Sequence, residues 1–135
     1  MNSVFVDTSF VVALVNEKDQ HHERASDLAE LFDGYPLVTT DAVLLEIGNA
    51  LARNFREQAI EAIEDFLTSE EVELVRLDAS LFQRAFDLYR THQDKTWGMI
   101  DCVSFVVMRE REIVDALTND KDFGQAGFNA LLRAS

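Results

Sequence analysis

The sequence is short of cysteine, proline, glycine and positive charge, and each shortage excludes something. A single cysteine, Cys102, rules out a disulfide framework and fits a reducing compartment. Its flanks, MIDCVSFVV, are core-type residues, so this thiol reads as packing. One proline and five glycines leave no Pro/Gly linker, and no internal repeat or low-complexity tract divides the chain. No apolar run approaches the ~20 residues of a membrane span. No basic stretch precedes the first apolar segment, so a cytoplasmic protein without a signal peptide or a membrane partner is expected. Lys and Arg number 12 against 25 Asp and Glu, a net charge of −13. Such a balance argues against phosphate binding by the surface as a whole and favours a basic partner or divalent cations. Much of the acid is local, because Glu57, Glu61, Glu64, Asp65, Glu70, Glu71 and Glu73 fall within one stretch and read as a solvated helix face.

What is present is core. The chain of 135 residues is 47% apolar with ten Phe, enough for one domain spanning 1–135. Apolar strand candidates at Val4–Val6, Leu37–Thr39, 72–77 and 113–119, with a weak one at 128–132, alternate with helical patterns. The helices are expected over 9–17, 21–33, a segment capped by Thr40 or Asp41, 55–69, Ser80–Thr91 and 98–112, with a short turn or helix at 120–127. In the second of these, Ala25, Leu28, Ala29 and Phe32 share one face, and Phe55, Ala59, Ile63 and Phe66 do so in the fourth. Strands separated by helices call for parallel pairing with right-handed crossovers. The fold expected is α/β, a three-layer α/β/α sandwich around a mainly parallel sheet of four or five strands. Sites on such sheets lie beyond the carboxyl ends of the strands, where strand order switches.

Four carboxylates sit where that rule points. Asp7 ends the first strand in VFVDTSF, and Glu46 shares a helical stripe with Val43, Ile47 and Ala50. Asp101 opens the apolar helix MIDCVSFVV, and Asp120 follows the fourth strand in LTNDKDF, with Asp122 two places on. Any one of them could be a helix cap or tilt to solvent. Together they pose a problem, since a buried, unpaired carboxylate takes up a proton or a partner. Lys95 is the sole Lys or Arg within six residues of Asp7, Glu46 or Asp101. A hard divalent cation, Mg²⁺ or Mn²⁺, would satisfy several carboxylates at once.

At these residues the chain resembles a known family. FVDTSF, the inward Glu of TTDAVLLEIGNAL, WGMIDCVSF and LTNDKDF are similar, in order and spacing, to the four motifs of PIN-domain ribonucleases. The short span resembles VapC-type toxins of toxin–antitoxin pairs. The resemblance implies a metal-dependent endoribonuclease with Asp7, Glu46, Asp101 and Asp120 as its catalytic and metal-binding acids. Thr8 matches the hydroxyl after the first Asp and Thr118 the small polar residue before the last, both in supporting roles. Asp122 occupies a variable position, and Ile100 replaces the usual hydroxyl before the third Asp. The implied cofactor is Mg²⁺ or Mn²⁺, and the implied partners are RNA, a basic antitoxin and a second copy of the chain as a homodimer. The chemistry is consistent: metal ions can lower the pKa of an attacking water and stabilise the leaving oxygen of a phosphodiester. Asp7, Asp101 and Asp120 would hold metal, and Glu46 would bind metal or orient the water. A nuclease of RNA processing and a non-catalytic metal-binding module are the alternatives.

Other residues carry weaker signals. His21 and His22 sit at a helix start among acids, where exposed capping competes with a transition-metal site. Trp97 could stack on a base or pack to fix the Asp101 helix. Arg53, Arg56, Lys95 and Lys121 are candidates for the phosphate backbone. Asp120 and Asp122 form a DxD like that of topoisomerase-primase domains, but the glutamate after the first strand is missing. The haloacid-dehalogenase pattern fails because position 9 is Ser.

Overall fold

A computed structural model describes residues 2–133. The chain runs β1 (Val4–Val6), α1 (Thr8–Val15), α2 (His22–Leu31), β2 (Leu37–Thr40), α3 (Asp41–Ala50) and α4 (Arg56–Thr68). It continues through β3 (Val72–Val75), α5 (Ala79–Thr91), α6 (Met99–Glu110), β4 (Asp115–Leu117), α7 (Lys121–Gln125) and β5 (Asn129–Ala130). All strand pairs are parallel, and the sheet order is β3-β2-β1-β4-β5. Five strands and uniform parallel pairing match the architecture expected from the sequence.

Strand order positions the site. From β1 the chain winds outward through β2 to β3, then returns across the sheet to β4 and β5 on the other side of β1. The switch in direction therefore falls between β1 and β4, at their carboxyl ends. Right-handed crossovers send α1–α4 to one face and α5–α7 to the other, and contacts run α1·α2, α1·α3 and α3·α4 in one set and α5·α6 and α6·α7 in the other. Among the described residues, α3 and α6 are the helices of the two sets that meet. That meeting brings the helices bearing Glu46 and Asp101 together above the switch.

Local signals explain most boundaries. β1 is apolar on both faces because helices cover both, and Val4, Phe5 and Val6 are buried. Thr40 ends β2 and caps α3, its hydroxyl accepting from Val43 N–H at 3.1 Å. Asp78 caps α5 through Leu81 N–H at 2.8 Å. The acids of α4 and the segment after it are solvated, as expected.

Three expectations need correction. β3 stops at Val75 and β4 spans Asp115–Leu117, both shorter than their apolar runs. At β4 the Ile113 N–H is taken by Met108 O at 2.9 Å in the helix-ending turn, so pairing starts later. Ala29 is exposed, not on the inner stripe: α2 packs against α1 through Ala25 and Leu28, too narrow a contact to cover it. Arg53, which follows α3, and Arg56, the first residue of α4, are both exposed.

Candidate active site

Asp7 is the deepest of the acids. The β1 ladder continues one residue past the strand, with Asp7 N–H donating to Leu117 O at 3.1 Å. Asp7 then occupies the N-cap position of α1, yet its side chain caps nothing. It is 6% exposed and accepts a 2.7 Å hydrogen bond from the Thr118 hydroxyl. Burial pushes its pKa up to about 7, against the pull of the Thr118 hydroxyl and the Thr8 N–H, with the Asp101 and Glu46 charges adding to the rise. Helix capping does not account for this carboxylate.

A chain of hydroxyls supports it. Thr118 has one proton and gives it to Asp7, so the 3.2 Å contact between Ser9 and Thr118 has Ser9 as donor. Ser9 Oγ in turn accepts from Asn119 N–H at 2.9 Å, and Thr118 Oγ1 accepts from Asp120 N–H at 3.1 Å. The start of α1 and the end of β4 are thereby tied together around Asp7. One residue on, the Thr8 hydroxyl donates to Glu46 Oε1 at 2.9 Å and fixes that half-buried glutamate on α3.

On the other side, α6 and α7 bring three more acids. Asp101 lies in the first turn of α6 and accepts from Gly98 N–H at 3.1 Å, so the cap reading holds for one of its oxygens. Burial still raises its pKa to about 6, against the Gly98 N–H, with Asp120, Asp122 and Glu46 contributing repulsion. Asp120 caps α7, accepting from Asp122 N–H at 2.8 Å. Asp122 is buried and accepts from the Thr96 hydroxyl at 3.2 Å. Asp101, Asp120 and Asp122 each offer an oxygen within 4.8 Å of the other two.

These elements enclose a cleft of about 540 Å³ lined by Asp7, Glu46, Asp101 and Asp120, with Lys121 and Arg133 on its wall. All four acids singled out from the sequence therefore share one cavity. The tightest group is different: it includes Asp122, which stands outside the cleft lining, and leaves out Asp7 and Glu46. Among the described residues, none of these five carboxylates takes part in an ion pair. Crowded carboxylates without an ion-pair partner, with the pKa values of Asp7 and Asp101 raised, fit a hard divalent ion, for which oxygen donors of this kind are suited.

Reading the sequence missed Ser9, Asn119, Thr96 and Arg133. Ser9 stands in FVDTSF directly after Asp7–Thr8, a visible signal, whereas Arg133 reaches the cleft only because its guanidinium donates to Asn119 O at 3.1 Å. Of the phosphate candidates, Lys121 lines the cleft and Lys95 is on a neighbouring loop. His22 is engaged with Ala13 O at 2.7 Å and belongs to no metal-type cluster among the described residues. Trp97 is buried between His92 and Phe105, and Ile100 packs against the core. Burial, aided by the Asp101 charge, pushes the Cys102 thiol up to about 11, which fits an inert packing role.

A parallel α/β sheet with an acidic cleft at its switch point defines the class, and residues 4–129 match the family model of the PIN domain: the chain belongs to the PIN-domain family. Two relatives from two strains of Mycobacterium tuberculosis, both named 23S rRNA-specific endonuclease VapC20, are 33% identical over 127 residues, covering 93% of this chain and 95% of theirs. The crystal structure of M. tuberculosis VapC20, described as a sarcin–ricin loop cleaving toxin, matches with a TM-score of 0.83 at 32% identity, covering 93% of this chain and 96% of that one. The chain is thus similar to a VapC-type toxin along nearly its whole length. Among the described residues, no helix is long and apolar enough to cross a membrane.

Proposed function

We propose that this chain is a metal-dependent endoribonuclease, the toxin of a type II toxin–antitoxin pair, working in the cytoplasm as a single domain. The observation that carries the reading is the Asp101–Asp120–Asp122 group beside buried Asp7, carboxylates that no protein cation neutralises among the described residues. Asp7, Asp101 and Asp120 would hold Mg²⁺ or Mn²⁺, with Asp122 completing the set and Glu46 binding metal or orienting water. When bound, the ion supplies a Lewis acid for the phosphate and a lowered pKa for the attacking water. Thr8 keeps Glu46 turned to the cleft, and Thr118 keeps Asp7 in place, so neither carboxylate has to reorganise as charge builds on the phosphate. Lys121 and Arg133 offset part of the repulsion between RNA and an acidic wall. Water attacks phosphorus, the bond to the 3′ oxygen breaks, and that oxygen takes the proton, leaving 5′-phosphate and 3′-hydroxyl ends.

The substrate proposed is the sarcin–ricin loop of 23S rRNA, on the strength of the VapC20 relatives. Purified, partner-free protein should cut a synthetic stem-loop of that sequence at one position, leaving a 5′ end that ligates without prior phosphorylation. Cleavage of other RNAs but not this loop would remove the substrate assignment, and no cleavage of any RNA would remove the nuclease.

A basic antitoxin segment should occupy the same cleft. A chain of net charge −13 attracts a cationic partner at long range, and an Arg fork can pair bidentately with the carboxylates. Association should slow as salt rises, and Mn²⁺ should compete with a peptide of the antitoxin tail. Independent binding of the two would place the antitoxin elsewhere. For a homodimer, exposed Leu45 (71%) and Phe82 (51%) supply unpartnered apolar surface, and the sedimentation mass reads the result.

A further inference from the structure

A second cavity, of about 500 Å³, opens between the C-terminal half of α5 and the loop, residues 92–97, that leads to α6. Its base is Trp97, 6% exposed, whose ring stacks on His92 at 4.9 Å and meets Phe105 edge-on at 5.1 Å. Its walls hold two aromatic rings that face solvent, Phe86 (39% exposed) and Tyr89 (43%). Arg90 and Lys95 also line it. Arg90 pairs with Asp87 and lies over the Phe86 ring at 5.7 Å, and Lys95 pairs with Asp94, all in exposed positions where such contacts contribute little. This patch thus collects aromatic faces and free-to-exchange cations on a chain that carries 25 acids and 12 bases.

The patch is also joined to the acidic cleft. Thr96 lines the cavity and donates to Asp122, while Gly98, two residues on, donates to Asp101. Two residues of chain span at most about 7 Å. One short strip therefore lines the pocket with Thr96 and Trp97 and holds two of the acids, Asp101 and Asp122, by hydrogen bonds.

We propose that this pocket is a nucleobase subsite, taking an unpaired base of the RNA next to the scissile phosphate, stacking it on Tyr89 and holding the adjoining phosphate with Arg90 and Lys95. The inference rests on the nuclease reading and deepens it. Aromatic faces beside a cationic rim are how single-stranded nucleic acid is held, since every base has a face to stack and every linkage a charge. The same features disfavour the other occupants. A basic antitoxin tail is repelled by Arg90 and Lys95. A second copy docking isologously would set these cations against themselves.

Trp97 is the single tryptophan, so its fluorescence reports on the pocket directly. A short single-stranded RNA added in Ca²⁺ should quench it, and Tyr89→Ala and Lys95→Gln should each weaken that binding about tenfold. In Mg²⁺ or Mn²⁺ the same variants should raise KM about tenfold with kcat changed less than about twofold. An abasic nucleotide beside the cut should weaken binding to the unaltered protein but add little to Tyr89→Ala, because the two changes remove one contact. Fluorescence unmoved by saturating RNA, or full affinity in Tyr89→Ala, overturns the subsite. So does a Tyr89→Ala protein that changes only its sedimentation mass, which makes the face an interface between copies. RNA that quenches with abasic sensitivity but is never cut in either metal leaves the subsite standing and the nuclease reading refuted.

Discussion

Asp7→Asn is expected to lower the rate of RNA cleavage by about a thousandfold or more while making the metal-free protein more stable near pH 8. The loss follows from removing one full charge at a buried position between Asp101 and Glu46, where a bound ion would neutralise charge developing on phosphate. Several kcal/mol of such stabilisation corresponds to about three decades in rate. The gain in stability has the opposite origin. Asp7 has a pKa of about 7 in the folded chain, against an ordinary 3.8. Between those values the folded protein holds a proton that the unfolded chain has lost, so stability falls as pH rises through that window and levels off above it. Asparagine has no proton to lose, and its amide oxygen can still accept from Thr118. The difference near pH 8 should be on the order of 2–4 kcal/mol and should vanish near pH 4. Thermal melts in chelator at the two pH values, with initial rates in Mn²⁺, test both halves. Retained cleavage refutes the catalytic role, and a collapsed circular dichroism spectrum makes Asp7 structural.

Chelation is the second large effect. EDTA should take cleavage to background, and added Mn²⁺ or Mg²⁺ should restore it. The pH dependence of binding is more informative than the loss itself. Asp7 near 7 and Asp101 near 6 must both be ionised to hold a cation, so binding has to displace protons. Affinity for Mn²⁺ should therefore rise by about one decade per pH unit between the two pKa values, more steeply below them, and flatten above about 7. Metal also holds these carboxylates in the ionised form that the unfolded chain already has above its ordinary pKa, so saturating metal should remove the fall in stability with pH seen without it. Calorimetry in buffers of different ionisation enthalpy counts the protons released. Affinity independent of pH across this range would show that Asp7 and Asp101 do not bind the ion, and full activity in EDTA would end the metal mechanism.

The layered architecture and the four principal acids are legible in the residues alone. Apolar triplets such as Val4–Val6 admit helices on both faces, and helical segments between them force parallel crossovers. Asp7 and Glu46 stood out because each interrupts a periodic apolar pattern, a local conflict visible without coordinates. The rest of the site depends on contacts between distant parts of the chain. The Ser9–Thr118–Asp7 chain joins residues more than a hundred positions apart, and it exists because β1 and β4 are neighbours at the switch. Asp122 entered the tight acidic group because α7 turns back toward α6, and Thr96 met it there from a loop with no periodic signature. Arg133 reaches the cleft through the backbone of Asn119, a partner that no spacing rule could name. The exposure of Ala29 has the same cause, since the width of a helix's buried stripe is set by the neighbour that covers it. Periodicity reports which side chains must leave water, whereas the identity of their partners is settled only when strands separated along the chain pair side by side.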